Sequence, residues 1–128
     1  MTNTNNKIKI LLIEDDPLLL NMYAAKFELE NFNVVTAEDG EKGLKLATSI
    51  SPDIILLDIL LPKINGFEVL KLLKENEEVK NIPVILLTNL SQKDEVKQGL
   101  SLGAEDYLIK AHFMPSEVVE KIKKIINR

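Results

Sequence analysis

The sequence predicts an α/β fold built on a parallel sheet, on three observations. Short aliphatic runs alternate with longer amphipathic stretches five times along the chain. Three of those runs are almost continuously aliphatic, the mark of strands covered on both faces. The 128 residues suit one domain with one core that needs no covalent staple.

The strand candidates are Ile8–Ile13, Val34–Val35, Ile54–Leu57, Val84–Leu87 and the weaker Tyr107–Ile109. Between and after them lie helical patterns. The first, 17–31, has Asp16 placed to cap it and Pro17 at its first position, where a missing N–H costs nothing. Its Leu18, Leu19, Met22, Ala25 and Leu29 recur at near-helical spacing and are expected to face the core. A second helix, 41–50, places Leu44 and Ala47 on one face ahead of Pro52, and a third, 67–74, carries Val69, Leu70, Leu72 and Leu73. The fourth, 92–102, stops at Gly103, and the fifth, 116–127, follows Pro115. Successive parallel strands cross over right-handedly, so the helices fall on both faces of the sheet. A flavodoxin-like doubly wound (βα)5 sheet with strand order 2-1-3-4-5 is the expected architecture. Residues 1–6 are polar and are expected to form a tail outside a domain spanning 7–128.

Composition excludes several functions. There are no cysteines, which removes disulfides, thiolate metal sites and cysteine nucleophiles. A net charge of −4 opposes DNA or membrane-surface binding, which need a dominant cationic field. Lys121, Lys123 and Lys124 are expected on a solvated face near a helix C-terminus, where the dipole favours cations. No apolar run approaches the roughly 20 residues of a membrane span, and residues 1–7 lack the apolar core of a signal peptide. A cytoplasmic location is expected.

In such a sheet, function gathers at the carboxyl ends of the strands. The first strand ends in Glu14-Asp15-Asp16, the third in Asp58, the fourth in Thr88-Asn89 and the fifth in Lys110. Each alone has an ordinary explanation: a helix cap, a turn residue, a β-branched strand residue, a surface lysine. The expected strand order makes these ends neighbours, and their chemistry is then complementary. Crowded carboxylates repel one another unless a cation intervenes. Magnesium takes oxygen ligands, commonly one or two carboxylates together with phosphate. A carboxylate can attack phosphorus to give an aspartyl phosphate, with a lysine and a hydroxyl stabilising the transferred group.

Five segments carry a resemblance: Ile-Leu-Leu-Ile-Glu-Asp-Asp (10–16), Pro-Asp-Ile-Ile-Leu-Leu-Asp (52–58), Leu-Pro-Lys-Ile-Asn-Gly-Phe-Glu-Val-Leu (61–70), Pro-Val-Ile-Leu-Leu-Thr (83–88) and Gly-Ala-Glu-Asp-Tyr-Leu-Ile-Lys (103–110). In that order and separation, the chain from Lys7 to Asn127 resembles the receiver domains of two-component response regulators. The resemblance implies that Asp58 is the phosphoacceptor. It also implies a magnesium site, which manganese could occupy, formed by Asp15, Glu14 through water, Asp58 and the backbone carbonyl of Leu60. Thr88 matches the hydroxyl that moves toward the phosphoryl group, Lys110 its cationic partner, and Tyr107 the aromatic switch residue. The implied phosphodonor is a histidine kinase or a histidine phosphotransfer protein. The implied output is a protein target bound through the face of the fourth helix, fifth strand and fifth helix, without direct DNA binding.

Three departures from the family pattern stand out. Ala111 follows Lys110 where proline is usual, leaving the cis or trans state of that bond open, since cis without proline costs about 2.5–4 kcal/mol. Asn89 replaces a small residue after Thr88. Leu60 and Leu90, two positions past Asp58 and Thr88, cannot orient an attacking water, so slow self-dephosphorylation is expected. His112, in the loop after Lys110, has no adjacent nucleophile and is expected on the surface. The alternatives are a phosphorylation-independent interaction domain and a small phosphatase-type enzyme. Against the enzyme stand the absence of G-x-G-x-x-G, G-x-x-x-x-G-K-[ST] and a second acid in Asp58-Ile59-Leu60.

Overall fold

The computed structural model describes residues 7–88, 93–110 and 115–127. Expectations for residues 1–6, Asn89, Leu90, His112 and the Lys110–Ala111 bond fall outside these residues. The elements run β1 (Lys9–Ile13), α1 (Pro17–Leu29), β2 (Asn33–Ala37), α2 (Gly40–Ile50) and β3 (Ile54–Asp58), then α3 (Gly66–Glu75), β4 (Val84–Thr88), α4 (Lys93–Ser101), β5 (Asp106–Ile109) and α5 (Pro115–Ile126). The strands form one sheet in the order β2-β1-β3-β4-β5, and every pairing is parallel. This is the expected doubly wound architecture.

Two apolar clusters sandwich the sheet, and strand alternation sorts residues between them. Leu11, Ile13, Ile55, Leu57, Val84 and Leu86 face α2 and α3, packing with Ala47, Val69 and Leu73. Ile10, Leu12, Ile54, Leu56, Ile85, Leu87 and Leu108 face α1 and α5, packing with Tyr23, Phe27, Val118 and Ile122. β3 and β4 are buried at every position, which is why their sequences carry no polar alternation.

Local chemistry sets the helix starts. The Asp16 side chain accepts from Leu18 N at 3.0 Å and Asp39 from Lys42 N at 2.8 Å. Asn65 caps α3 by accepting from Glu68 N at 3.0 Å. Each cap satisfies an N–H that the helix itself leaves without a partner.

The expected core face of α1 is corrected by the structure. Leu18 and Leu29 are 76% and 82% exposed, and Met22 and Ala25 are exposed too. The buried residues are Tyr23 and Phe27. The helix is apolar on nearly all sides, so spacing alone could not select the inner face; the two aromatics take it because they bury the most area. Leu72 of α3 is likewise exposed. Lys121 and Lys123 are not merely solvated: Lys121 pairs with Asp106 at 2.7 Å, joining α5 to β5, and Lys123 with Glu30 at 3.5 Å.

The segment following β3 is held by Gly66, whose N–H donates to the Ile59 carbonyl at 2.7 Å. A Cβ at Gly66 would lie 2.3 Å from the Asp58 carbonyl oxygen and 2.6 Å from Ile59 Cα, both backbone atoms. Gly66→Ala is therefore expected to destabilise the domain by about 1–3 kcal/mol. Chemical denaturation checks this; an unchanged midpoint would show that the backbone there yields freely.

Candidate functional site

Glu14 directly follows β1, Asp58 ends β3, and Lys110 directly follows β5. β1 pairs with β3, β3 with β4 and β4 with β5, so these ends open onto one corner of the molecule. Lys110 Nζ donates to Asp58 Oδ2 at 2.9 Å and lies 2.8 Å from Glu14 Oε1. The second contact is an ion pair out of line for a hydrogen bond, and Glu14 Oε1 has no hydrogen-bond partner. The other Glu14 oxygen, Oε2, accepts from Asp16 N at 3.0 Å. Asp58 Oδ1 accepts from Leu60 N at 3.2 Å, which tethers the start of the β3–α3 loop to the acid.

Glu14 is fully buried and Asp58 nearly so, whereas Asp15 is exposed. Carboxylate oxygens of Glu14, Asp15 and Asp58 lie within 4.8 Å of one another. Burial pushes Asp58 up to about 7; the Lys110 hydrogen bond opposes this, and the Glu14 charge adds to it. Burial alone would lower Lys110, but its close contacts with the Glu14 and Asp58 carboxylates outweigh it and hold the ammonium above its ordinary value. When all are ionised, three carboxylates face one ammonium, leaving two negative charges uncompensated. A buried glutamate oxygen without a hydrogen bond, in an all-oxygen acid cluster open through Asp15, suits a hard divalent cation.

The structure thus brings Glu14, Asp15, Asp58 and Lys110 together, with Leu60 beside them. Thr88 ends β4 and is buried, in register with Ile109. Tyr107 is half-buried against the cluster that faces α2 and α3. Alternation puts Thr88 on that same side with Val84 and Leu86, whereas Glu14, Asp58 and Lys110 continue the rows that face α1 and α5. This division was not read from the sequence, although the strand period contains it. The restraint by Gly66 was also missed; its signal was a glycine eight residues past the acid.

Comparison with known proteins agrees with this arrangement. The model of the response regulator receiver domain matches residues 10–123. The transcriptional regulatory protein CpxR of Escherichia coli is 42% identical over 120 residues, 94% of this chain and 50% of its own length. The DNA-binding dual master transcriptional regulator RpaA of Synechocystis is 38% identical over 94% of this chain and 49% of its own. The chain therefore spans about half the length of the curated relatives it matches. Among solved structures, a putative response regulator from Chloroflexus aurantiacus superposes with a TM-score of 0.90 at 29% identity, covering 96% of this chain and 100% of that one. The receiver domain of the sensor histidine kinase PA1611 from Pseudomonas aeruginosa gives 0.88 at 26%, covering 95% and 99%, and holds a magnesium ion in its active-site cleft. This chain belongs to the response regulator receiver domain family.

The raised value of Asp58 has a consequence for stability without metal. From its ordinary 3.8 up to about 7, the folded protein holds a proton that the unfolded chain has released. The stability due to that proton is present at low pH and is lost as pH rises through this window. In EDTA, Asp58→Asn is expected to flatten the fall in stability between pH 5 and 8. It should also melt about 4 °C or more above the wild type at pH 8. Thermal unfolding at the two pH values decides it; parallel profiles for the two proteins would refute the assignment.

Proposed function

We propose that this domain is the phosphoacceptor switch of a two-component pathway, with Asp58 the residue phosphorylated. The observation that carries this reading is the set of carboxylates within 4.8 Å, Glu14, Asp15 and Asp58, beside an ammonium tethered to the acceptor. An Asp58 oxygen forms the new bond to phosphorus as the bond from phosphorus to the donor breaks, the electron pair leaving with the donor. Asp15, Asp58 and the Leu60 carbonyl would hold a magnesium ion directly and Glu14 through water, with manganese a workable substitute. The ion, when bound, supplies positive charge against the carboxylates and the incoming phosphoryl oxygens.

The chain's own residues do the rest. Lys110 balances negative charge at the acceptor, and Leu60 N–H orients Asp58. The Thr88 hydroxyl would close onto the phosphoryl group and Tyr107 would follow it inward. That rearrangement alters the α4–β5–α5 face for a downstream protein, as a shift between states already present. We assign the switch to residues 7–128, with residues 1–6 outside it. The phosphodonor is a histidine kinase or a histidine phosphotransfer protein. No helix among the described residues is long and apolar enough to cross a membrane, which is compatible with a cytoplasmic setting. The catalysis proposed is confined to the domain's own phosphorylation and dephosphorylation.

Acetyl phosphate with and without magnesium, followed by intact mass, tests the reading. A magnesium-dependent gain of one phosphoryl group is expected, absent in Asp58→Asn. No gain by a folded protein would make this a phosphorylation-independent interaction domain.

The exposed Leu60 side chain next to Asp58 offers no group to orient an attacking water. After removal of donor, the acyl phosphate is accordingly expected to persist for minutes or longer. Decay within seconds would refute that shielding.

A further inference from the structure

Among the described residues, the buried members of the apolar cluster facing α1 and α5 are Tyr23 together with Ile, Leu, Val and Phe. Tyr23 is 2% exposed, and its ring stacks on Phe27 with centroids 6.0 Å apart. It shares the cluster with Leu12 and Leu56. These stand two positions before Glu14 and Asp58, on the same faces of β1 and β3, about 6.5 Å further down the strands. α1 starts at the acid end of the sheet, and Tyr23 lies six residues into it, about 9 Å along its axis. Helical side chains lean back toward the helix N-terminus, so the long tyrosine side chain reaches toward the strand ends.

We propose that Tyr23 is a positioning residue of the acid site: its phenol closes the floor beneath Glu14 and Asp58 from the α1 side, and its hydroxyl dipole steadies their negative charge for the divalent cation. This rests on the metal-assisted reading of the site. Burial, then the charge of Glu14, then that of Asp58 push the Tyr23 hydroxyl well above its ordinary range. Both carboxylates therefore act on the same phenol, and the proton stays on its oxygen. A neutral hydroxyl near two acids is a dipole that an apolar ring in the same place cannot supply. The remaining members of the cluster add volume but no polarity.

Magnesium chloride titration followed by NMR tests this on wild type, Tyr23→Phe and Phe27→Leu. Tyr23→Phe is expected to bind magnesium about three- to tenfold more weakly, the range for one modest polar interaction. Phe27→Leu disturbs the same packing without touching the hydroxyl; it should melt at lower temperature yet bind magnesium like the wild type. The Tyr23 ring resonances of the wild type should shift with the same midpoint as the site's amides. Wild-type affinity in Tyr23→Phe, or an equal loss in Phe27→Leu, would overturn the proposal. A wild type that binds no magnesium at all would remove the metal reading itself, and Tyr23's role with it.

Discussion

The arrangement turns on Lys110, whose ammonium lies between two buried carboxylates contributed by different strands. Removing two acids and a lysine from water costs several kcal/mol per ion, and the cost is met only where the geometry is good. Good geometry here requires that β1, β3 and β5 end at matching heights, so the pairing registers through β4 become conditions on the site. The pairing remains incomplete. One lysine cannot neutralise Glu14, Asp15 and Asp58 together, and burial, with the Glu14 charge adding to it, displaces Asp58 upward. A site with that imbalance is built to accept positive charge.

The sheet also separates two tasks. The acids and Lys110 continue the rows that face α1 and α5, while Thr88 and Tyr107 belong to the side of α2 and α3. In the proposed switch, an event at Asp58 is therefore carried round the end of β4 by Thr88. Adjacent parallel strands hold Asp58 opposite Leu87 and Thr88 opposite Ile109, so the two sides are one residue apart along β4. That short path is rigid because every residue of β3 and β4 is buried.

Much of this was legible in the chain. The aliphatic runs and the helix start at Asp16 gave the element order, because strand burial and capping are local properties written in residue type; the Asn65 cap was seen only in the structure. Glu14, Asp15, Asp58, Thr88 and Lys110 could be nominated for the same reason: each sits where a strand ends. The inner face of α1 was not legible. Its leucines, methionine and alanines surround the helix so evenly that the choice between the Leu18–Met22–Leu29 side and the Tyr23–Phe27 side had to be made by the neighbouring sheet.

By itself, the sequence determined which elements form, in what order, and which chemically capable side chains stand at the strand ends. It could do so because those features depend on nearest neighbours along the chain. Tertiary structure decided what depends on distance across the chain: the ion pairs of Lys110 with residues 52 and 96 positions away, and the burial that displaces Asp58. It also decided that Tyr23, an unremarked helix residue in sequence, sits under the acids. Desolvation and Coulomb interaction act through space, and only packing brings the groups that feel them within range.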